Sequence, residues 1–128
     1  MPSTFDLVTI DAADSGLVAG FWVAALVLTE VQSEDDGRWI VLADATGIRR
    51  IGIQRIVDRG AAVARWNGAD KPRLHLDLVC PPAEFDAEVA RLVQLGARQL
   101  RRPRREDYGA IATMADIEGN VFDLCAYH

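Results

Sequence analysis

His75 and Asp77 alternate in residues 73–79 (RLHLDLV), Asp123 lies in residues 121–127 (VFDLCAY), and Gln54 lies in residues 48–57. These runs have the apolar and β-branched composition of strands. Side chains alternate across a strand, so parity sorts each run onto two faces. One face gathers Leu7, Thr9, Gly52, Gln54, Ile56, Arg73, His75, Asp77, Val121, Asp123 and Cys125. Imidazole, carboxylate, amide and guanidinium groups together suit the binding of a polar small molecule. Arg73 can pair with an anionic ligand group unless Asp77 neutralises it. Trp39 in a strand and Trp66 between periodic segments are candidates to stack on a flat ligand, whereas Trp22 falls on a helical stripe and reads as core. A sheet face that merely meets solvent has the same mixed composition, and His75 hydrogen-bonded to Asp77 or Asp123 is the alternative to a ligand site. Convergence favours a cleft, because Gln54, His75 and Asp123 sit centrally in their strands.

The elements that must position these groups follow in order along the chain. Residues 5–11 alternate as a strand, and Asp14 or Ser15 can cap a helix whose apolar positions Leu17, Val18, Phe21, Trp22, Ala25 and Leu26 recur at helical spacing. A short strand at 31–32, a turn at Asp35-Asp36-Gly37, an apolar strand at 39–43 and a hairpin through Asp44-Ala45-Thr46-Gly47 into residues 48–57 complete a βαβββ order. Residues 58–72, with Gly60, Gly68 and Pro72, read as a linker. The order then repeats. A strand at 73–79 leads through Pro81-Pro82 to a helix over 83–95, with Phe85, Val89, Leu92 and Val93 on one face and Gly96 as its stop. Strands at 98–100, 108–115 and 121–127 follow, the last two joined by a turn at Asp116-Ile117-Glu118-Gly119. Asp44 and Gly47 recur as Asp116 and Gly119, Gln54 as Asp123, and Leu7 as His75, although shared order carries the repeat more than identity does. The fold class expected is α+β, with two βαβββ modules at about 5–57 and 73–127 in a single domain spanning 1–128. The second strand face, with Val8, Ile10, Ile51, Ile53, Leu74, Leu76, Leu78, Phe122 and Leu124, is wholly apolar, as a face covered by helices should be.

With 128 residues, half of them hydrophobic, the chain can bury a core without staples. No apolar run approaches the roughly 18 residues of a membrane span, and no basic-then-apolar signal opens the chain, so a soluble cytoplasmic protein without a membrane partner is expected. The net charge of -5 argues against a nucleic-acid partner. Arg101, Arg102, Arg104 and Arg105 crowd locally around Pro103, as an anion-binding loop or a solvated turn. Cys80 and Cys125 match no metal spacing and fall on opposite parities, so reduced thiols are expected.

The segments RLHLDL (73–78), FDAEVARLVQLGA (85–97) and MADIEGNVFDLC (114–125) look like the second half of a glyoxalase-like protein, and VTIDAAD (8–14), Phe21-Trp22 and WIVLADATG (39–47) look like the first. Over nearly its whole length the chain resembles the glyoxalase/bleomycin-resistance/extradiol-dioxygenase superfamily, also called the vicinal oxygen chelate superfamily. That resemblance implies a curved mixed sheet around a concave cleft, with the helices on its outer face. It also implies a divalent cation, Fe, Mn, Ni or Zn, held by one side chain from the first and last strand of each half. Those positions are Leu7, Gln54, His75 and Asp123. His75, Asp123 and Gln54 can donate to a metal; Leu7 cannot, and Asp123 is one methylene shorter than the usual Glu.

Two functions follow from the resemblance. One is a metal-assisted lyase, isomerase or dioxygenase acting on a small oxygen-rich substrate, with Arg73, Trp39, Trp66 and Thr9 around the ligand. The other is a metal-free protein that sequesters a drug or metabolite, as bleomycin-resistance relatives do. A homodimer is implied by the resemblance, and a dimer with a vestigial cleft is a third reading. Glyoxalase I activity itself is disfavoured, because the complete metal set and a recognisable glutathione site are both missing.

Overall fold

The computed structural model describes residues 2–56, 72 and 74–128. The chain divides into two compact units, Met1–Val63 and Ala64–His128.

Unit one runs β1 (Val8–Ala12), α1 (Ser15–Leu26), β2 (Thr29–Glu34), β3 (Trp39–Ala43) and β4 (Arg49–Arg55). Its sheet has the order β1-β4-β3-β2, with β1 and β4 parallel and the other neighbours antiparallel. The parallel pair requires a crossover, and α1 provides part of it. This helix starts where the Asp14 carboxylate accepts the Leu17 N–H at 3.1 Å. It buries Val18, Ala19, Phe21, Trp22 and Ala25, with Phe21 and Trp22 edge to face at 5.1 Å. The register pairs Val8 with Ile51 and Ile51 with Leu42, and likewise Ile10 with Ile53 and Ile53 with Ile40, so one sheet face is a continuous apolar surface. Trp22 belongs to the core, as its helical spacing implies.

Unit two runs β5 (Leu76–Val79), a 3₁₀ turn (Pro82–Glu84), α2 (Phe85–Gln94), β6 (Arg98–Gln99), β7 (Arg104–Glu106), β8 (Gly109–Ala115) and β9 (Val121–Tyr127). The order is β5-β9-β8-β6, with β7 also on β8; β5 and β9 are parallel. The amphipathic α2 buries Phe85, Val89 and Leu92. Gly96, at φ +118°, ends the helical segment, and the following Ala97 N–H returns to the Leu92 carbonyl at 3.0 Å. The βαβββ order thus appears in unit one and, with one further short strand, β7, again in unit two, in a mixed α+β chain with each unit forming its own sheet.

The differences from the sequence reading have local causes. Strand β1 starts at Val8 rather than Phe5, and β5 at Leu76 rather than residue 73, so Leu74 is 87% exposed instead of lying on the apolar face. Residues Pro82–Glu84 form a 3₁₀ turn ahead of the α-helix, which starts at Phe85 rather than residue 83; Pro82 sits at a first-turn position, where a missing N–H loses no bond. Arg104 and Arg105 lie in a strand and not in a turn. The Arg105 guanidinium sits 5.3 Å from the Phe85 ring centroid and 3.2 Å from the Asp86 carboxylate. Finally, β9 is buried on both faces: Val121, Asp123 and Cys125 are as enclosed as Phe122 and Leu124.

Candidate functional site

In unit two, the parallel pairing of β5 with β9 sets Asp77 directly beside Asp123, and the antiparallel pairing of β8 with β9 sets Thr113 on the other side of Asp123. Partners in register point to the same face, so three polar side chains share one strip across the sheet. His75 lies two residues before Asp77 and points the same way. Its Nε2 is 3.3 Å from Asp77 Oδ1 and 3.4 Å from Asp123 Oδ2. One imidazole and two carboxylates therefore converge, with all donor atoms within 4.8 Å of one another.

Burial grades sharply across this cluster. The Asp123 side chain is 2% exposed, His75 is partly exposed and Asp77 is 57% exposed. The innermost carboxylate is fixed by the Thr113 hydroxyl, which donates to Asp123 Oδ1 at 2.8 Å and turns Oδ2 toward His75. A buried carboxylate needs such partners, because an unpaired charge in a low-dielectric interior is strongly disfavoured. The arrangement can bind a cation or hydrogen-bond a polar ligand at its open, Asp77 side.

The same face continues along β9 through Cys125 to Tyr127. The Tyr127 phenol is pushed up to about 12, first by its hydrogen bond to Cys125 and then by that thiol's charge when ionised. Tyr127 also packs against Tyr108, with ring centroids 6.1 Å apart. Cys80 and Cys125 are both free thiols. Their strands meet through a backbone bond, Cys80 N to Cys125 O at 3.0 Å, which leaves the side chains on opposite parities as the sequence implies. Burial pushes the Cys80 thiol up, so it is a poor nucleophile.

In unit one, Thr9, Gly52 and Val41 are in register, as are Asp11, Gln54 and Trp39. Thr9 and Gln54 are exposed and Trp39 is half-buried. The Trp39 ring lies across Gly52: a Cβ there would come within 2.4 Å of Trp39 Cη2 and 3.1 Å of Leu7 Cδ1. Leu7 is thus part of an apolar patch on the very face that carries Thr9 and Gln54. The opposite side of unit one holds a shallow groove of about 500 Å³ lined by Asp14, Ser15, Glu30, Asp36 and Arg55. Its polar groups are engaged locally, Ser15 donating to the Gly37 carbonyl and Arg55 to the Asp36 carbonyl.

Of the residues singled out from sequence, His75 and Asp123 are brought together, while Gln54, Thr9 and Trp39 belong to unit one. Arg73 and Trp66 lie outside the described residues. Two participants went unrecognised. Thr113 could have been found by folding residues 109–127 about the Asp116–Gly119 turn, which sets it opposite Asp123. Asp77 was visible, but only as a partner for Arg73 or His75.

Residues 7–125 match the family described as Glyoxalase-like domain. Among curated proteins none matches. The chain is similar in structure to the fosfomycin resistance protein FosX from Mesorhizobium loti, at 18% identity and a TM-score of 0.70 over 100% of this chain and 95% of that one. It is similar to a mutant FosX from Listeria monocytogenes complexed with Mn(II) and 1S,2S-dihydroxypropylphosphonic acid, at 18% identity and 0.73, covering 100% and 93%. A glyoxalase/bleomycin resistance protein/dioxygenase family enzyme from Burkholderia phytofirmans gives 19% and 0.72, covering 96% and 98%. At these identities the likeness concerns the fold.

Proposed function

The chain belongs to the glyoxalase-like domain family, and from that premise we propose that it is a small-molecule enzyme assisted by a divalent cation held at His75 and Asp123. The substrate class is a small, oxygen-rich compound, and the reaction is that of a lyase, isomerase or dioxygenase. The observation that carries this reading is the approach of His75 Nε2 to within 3.4 Å of a carboxylate that is otherwise buried. The donor types fit, since a neutral imidazole nitrogen and a carboxylate suit Mn(II), Fe(II) or Zn(II). The FosX relative carrying Mn(II) and a dihydroxy phosphonate supports the same class of metal and ligand.

When bound, such a cation polarises substrate oxygens and stabilises the negative charge that develops on them. The chain's own residues supply the rest. Thr113 fixes the Asp123 rotamer, so the carboxylate is oriented before any ligand arrives. The buried Val121 and Cys125 side chains on either side of Asp123 limit water around its carboxylate. Arg73, Trp39, Trp66 and Thr9 as ligand contacts, Gln54 as a further donor, and a homodimeric assembly are parts of the proposal that rest on sequence position and resemblance.

One observation favours a second reading. Leu7, where the family resemblance expects a donor, is hydrocarbon packed near Gly52 and Trp39, which suits a metal-free pocket that sequesters its ligand. The deciding measurement is elemental analysis of protein purified without an affinity tag, before and after loading with Mn(II), Fe(II), Ni(II) or Zn(II). Stoichiometric metal that disappears in His75→Ala supports the enzyme. Absence of metal under every loading condition leaves the sequestering protein.

A further inference from the structure

Taking the cation reading above as its basis, we propose that Asp77 is the third protein donor of the site, and that unit two alone supplies a one-histidine, two-carboxylate set. Leu7 offers no donor, and without Asp77 unit two would contribute only His75 and Asp123 to the ion.

Three observations carry the assignment. The first is spacing. Neighbouring donors on one face of an octahedral ion, at metal–ligand distances of about 2.1 Å, lie roughly 3 Å apart. His75 Nε2 stands at 3.3 and 3.4 Å from the two carboxylates, and all three donors fall within 4.8 Å of one another. A small inward movement of the exposed Asp77 side chain closes the set. The second is charge. Asp77 and Asp123 are cross-strand neighbours in register, and like charges placed side by side on one sheet face repel. With Asp123 buried, a divalent cation between them converts that repulsion into attraction. The third is the gradient of burial. Asp123 and its Thr113 partner form a rigid floor, while Asp77, 57% exposed, stands at the solvent side where an ion must enter.

The donor chemistry also selects the ion. Two carboxylate oxygens and one imidazole nitrogen make a harder site than a histidine-rich one, and carboxylates and water suit Mn(II). Exchanging Asp77 for histidine should move the preference toward Zn(II) or Ni(II).

The test titrates Mn(II) into the full chain after chelator treatment, following the free-ion electron paramagnetic resonance signal. Wild type is expected to bind one equivalent. Asp77→Asn, and independently Asp77→Ser, should weaken binding at least tenfold with unchanged circular dichroism, and Asp77→His should lower the Mn(II)/Zn(II) affinity ratio. If both neutral variants bind Mn(II) like wild type while His75→Ala does not, the Asp77 assignment is overturned and the cation site stands. If wild type itself binds no Mn(II), Fe(II), Ni(II) or Zn(II), the assignment and the reading beneath it fall together.

Discussion

Asp44 and Asp116 build the same turn in the two units. Asp44 Oδ1 accepts the N–H groups of Thr46 and Ile48 at 2.9 and 3.1 Å, and Asp116 Oδ1 accepts those of Glu118 and Asn120, both at 2.9 Å. In each case the backbone closes three residues on, onto Gly47 at φ +86° and Gly119 at φ +94°, where a left-handed residue is required. Each turn then delivers the closing strand of its sheet, β4 or β9. The turn on the β9 side sets the register that brings Thr113 opposite Asp123.

The Asp116 side chain is fully buried, and removing it takes away the acceptor of the part-buried Glu118 and Asn120 N–H groups. Asp116→Ala is expected to destabilise the protein by about 1–3 kcal/mol, because hydrogen bonds from Glu118 and Asn120 are lost at about 0.5–1.5 kcal/mol each. Urea unfolding at neutral pH measures it, with Asp116→Asn losing less because its amide oxygen still accepts.

The Asp44 turn is nearer solvent and should report through pH instead. The Thr46 hydroxyl, followed by Arg50 and the backbone N–H groups of Ile48 and Thr46, outweighs partial burial and lowers the Asp44 carboxyl from 3.8 to about 2. A depressed folded-state value means that the ionised turn stabilises the fold above the unfolded value and loses that contribution as pH falls from about 4 toward 2. Wild type should therefore melt higher than Asp44→Asn at pH 6, with the gap closing by pH 2. A gap independent of pH would mean that the charge contributes nothing.

The apolar face of unit two makes a graded prediction. Phe122 is fully buried beneath α2 and Leu76 only partly so. Phe122→Ala should cost about 3–5 kcal/mol, and Leu76→Ala clearly less, as measured by denaturant midpoints. Equal costs would contradict the burial order along β5 and β9.

Periodicity made most of this visible in the sequence. Alternation identified the strands that carry Thr9, Gln54 and Asp123 and the segment leading into β5 that carries His75, and helical spacing placed Phe21, Trp22, Phe85 and Leu92 in the core. Strand ends were less legible, because Leu74 has strand composition but no ladder partner. Parity sorted the two faces of β9 but could not show that both are buried; the central strand holds Asp123 beside Thr113 and His75. The short β7 was hidden because four arginines read as an anion-binding loop or a solvated turn, whereas its ladder with β8 and the stacking of Arg105 on Phe85 are tertiary features.

Gly52 tests the unit-one face. A Cβ at this position would press into Trp39 Cη2 at 2.4 Å and Cζ3 at 2.9 Å. Gly52→Ala should displace the indole, at a cost of about 1–3 kcal/mol from overpacking. The displacement should be seen as a shift in tryptophan emission that vanishes when Trp39→Phe is combined with it. An emission spectrum unchanged from wild type would place the Trp39 ring away from Gly52.

Thr113 separates stability from site function. Thr113→Val keeps the shape but removes the hydroxyl that donates to Asp123 Oδ1. Hydrogen bonds to charged groups contribute about 1.5–3 kcal/mol, and because the acceptor is buried the upper part of that range is expected in urea unfolding. The freed carboxylate would also lose its fixed aim at His75. Groups that orient a metal ligand from behind typically govern 10–100-fold in affinity, so Mn(II) binding by Thr113→Val should weaken by that factor while Thr113→Ser retains most of it. Ordinary Mn(II) affinity in a destabilised Thr113→Val protein would show that the hydroxyl serves the fold alone.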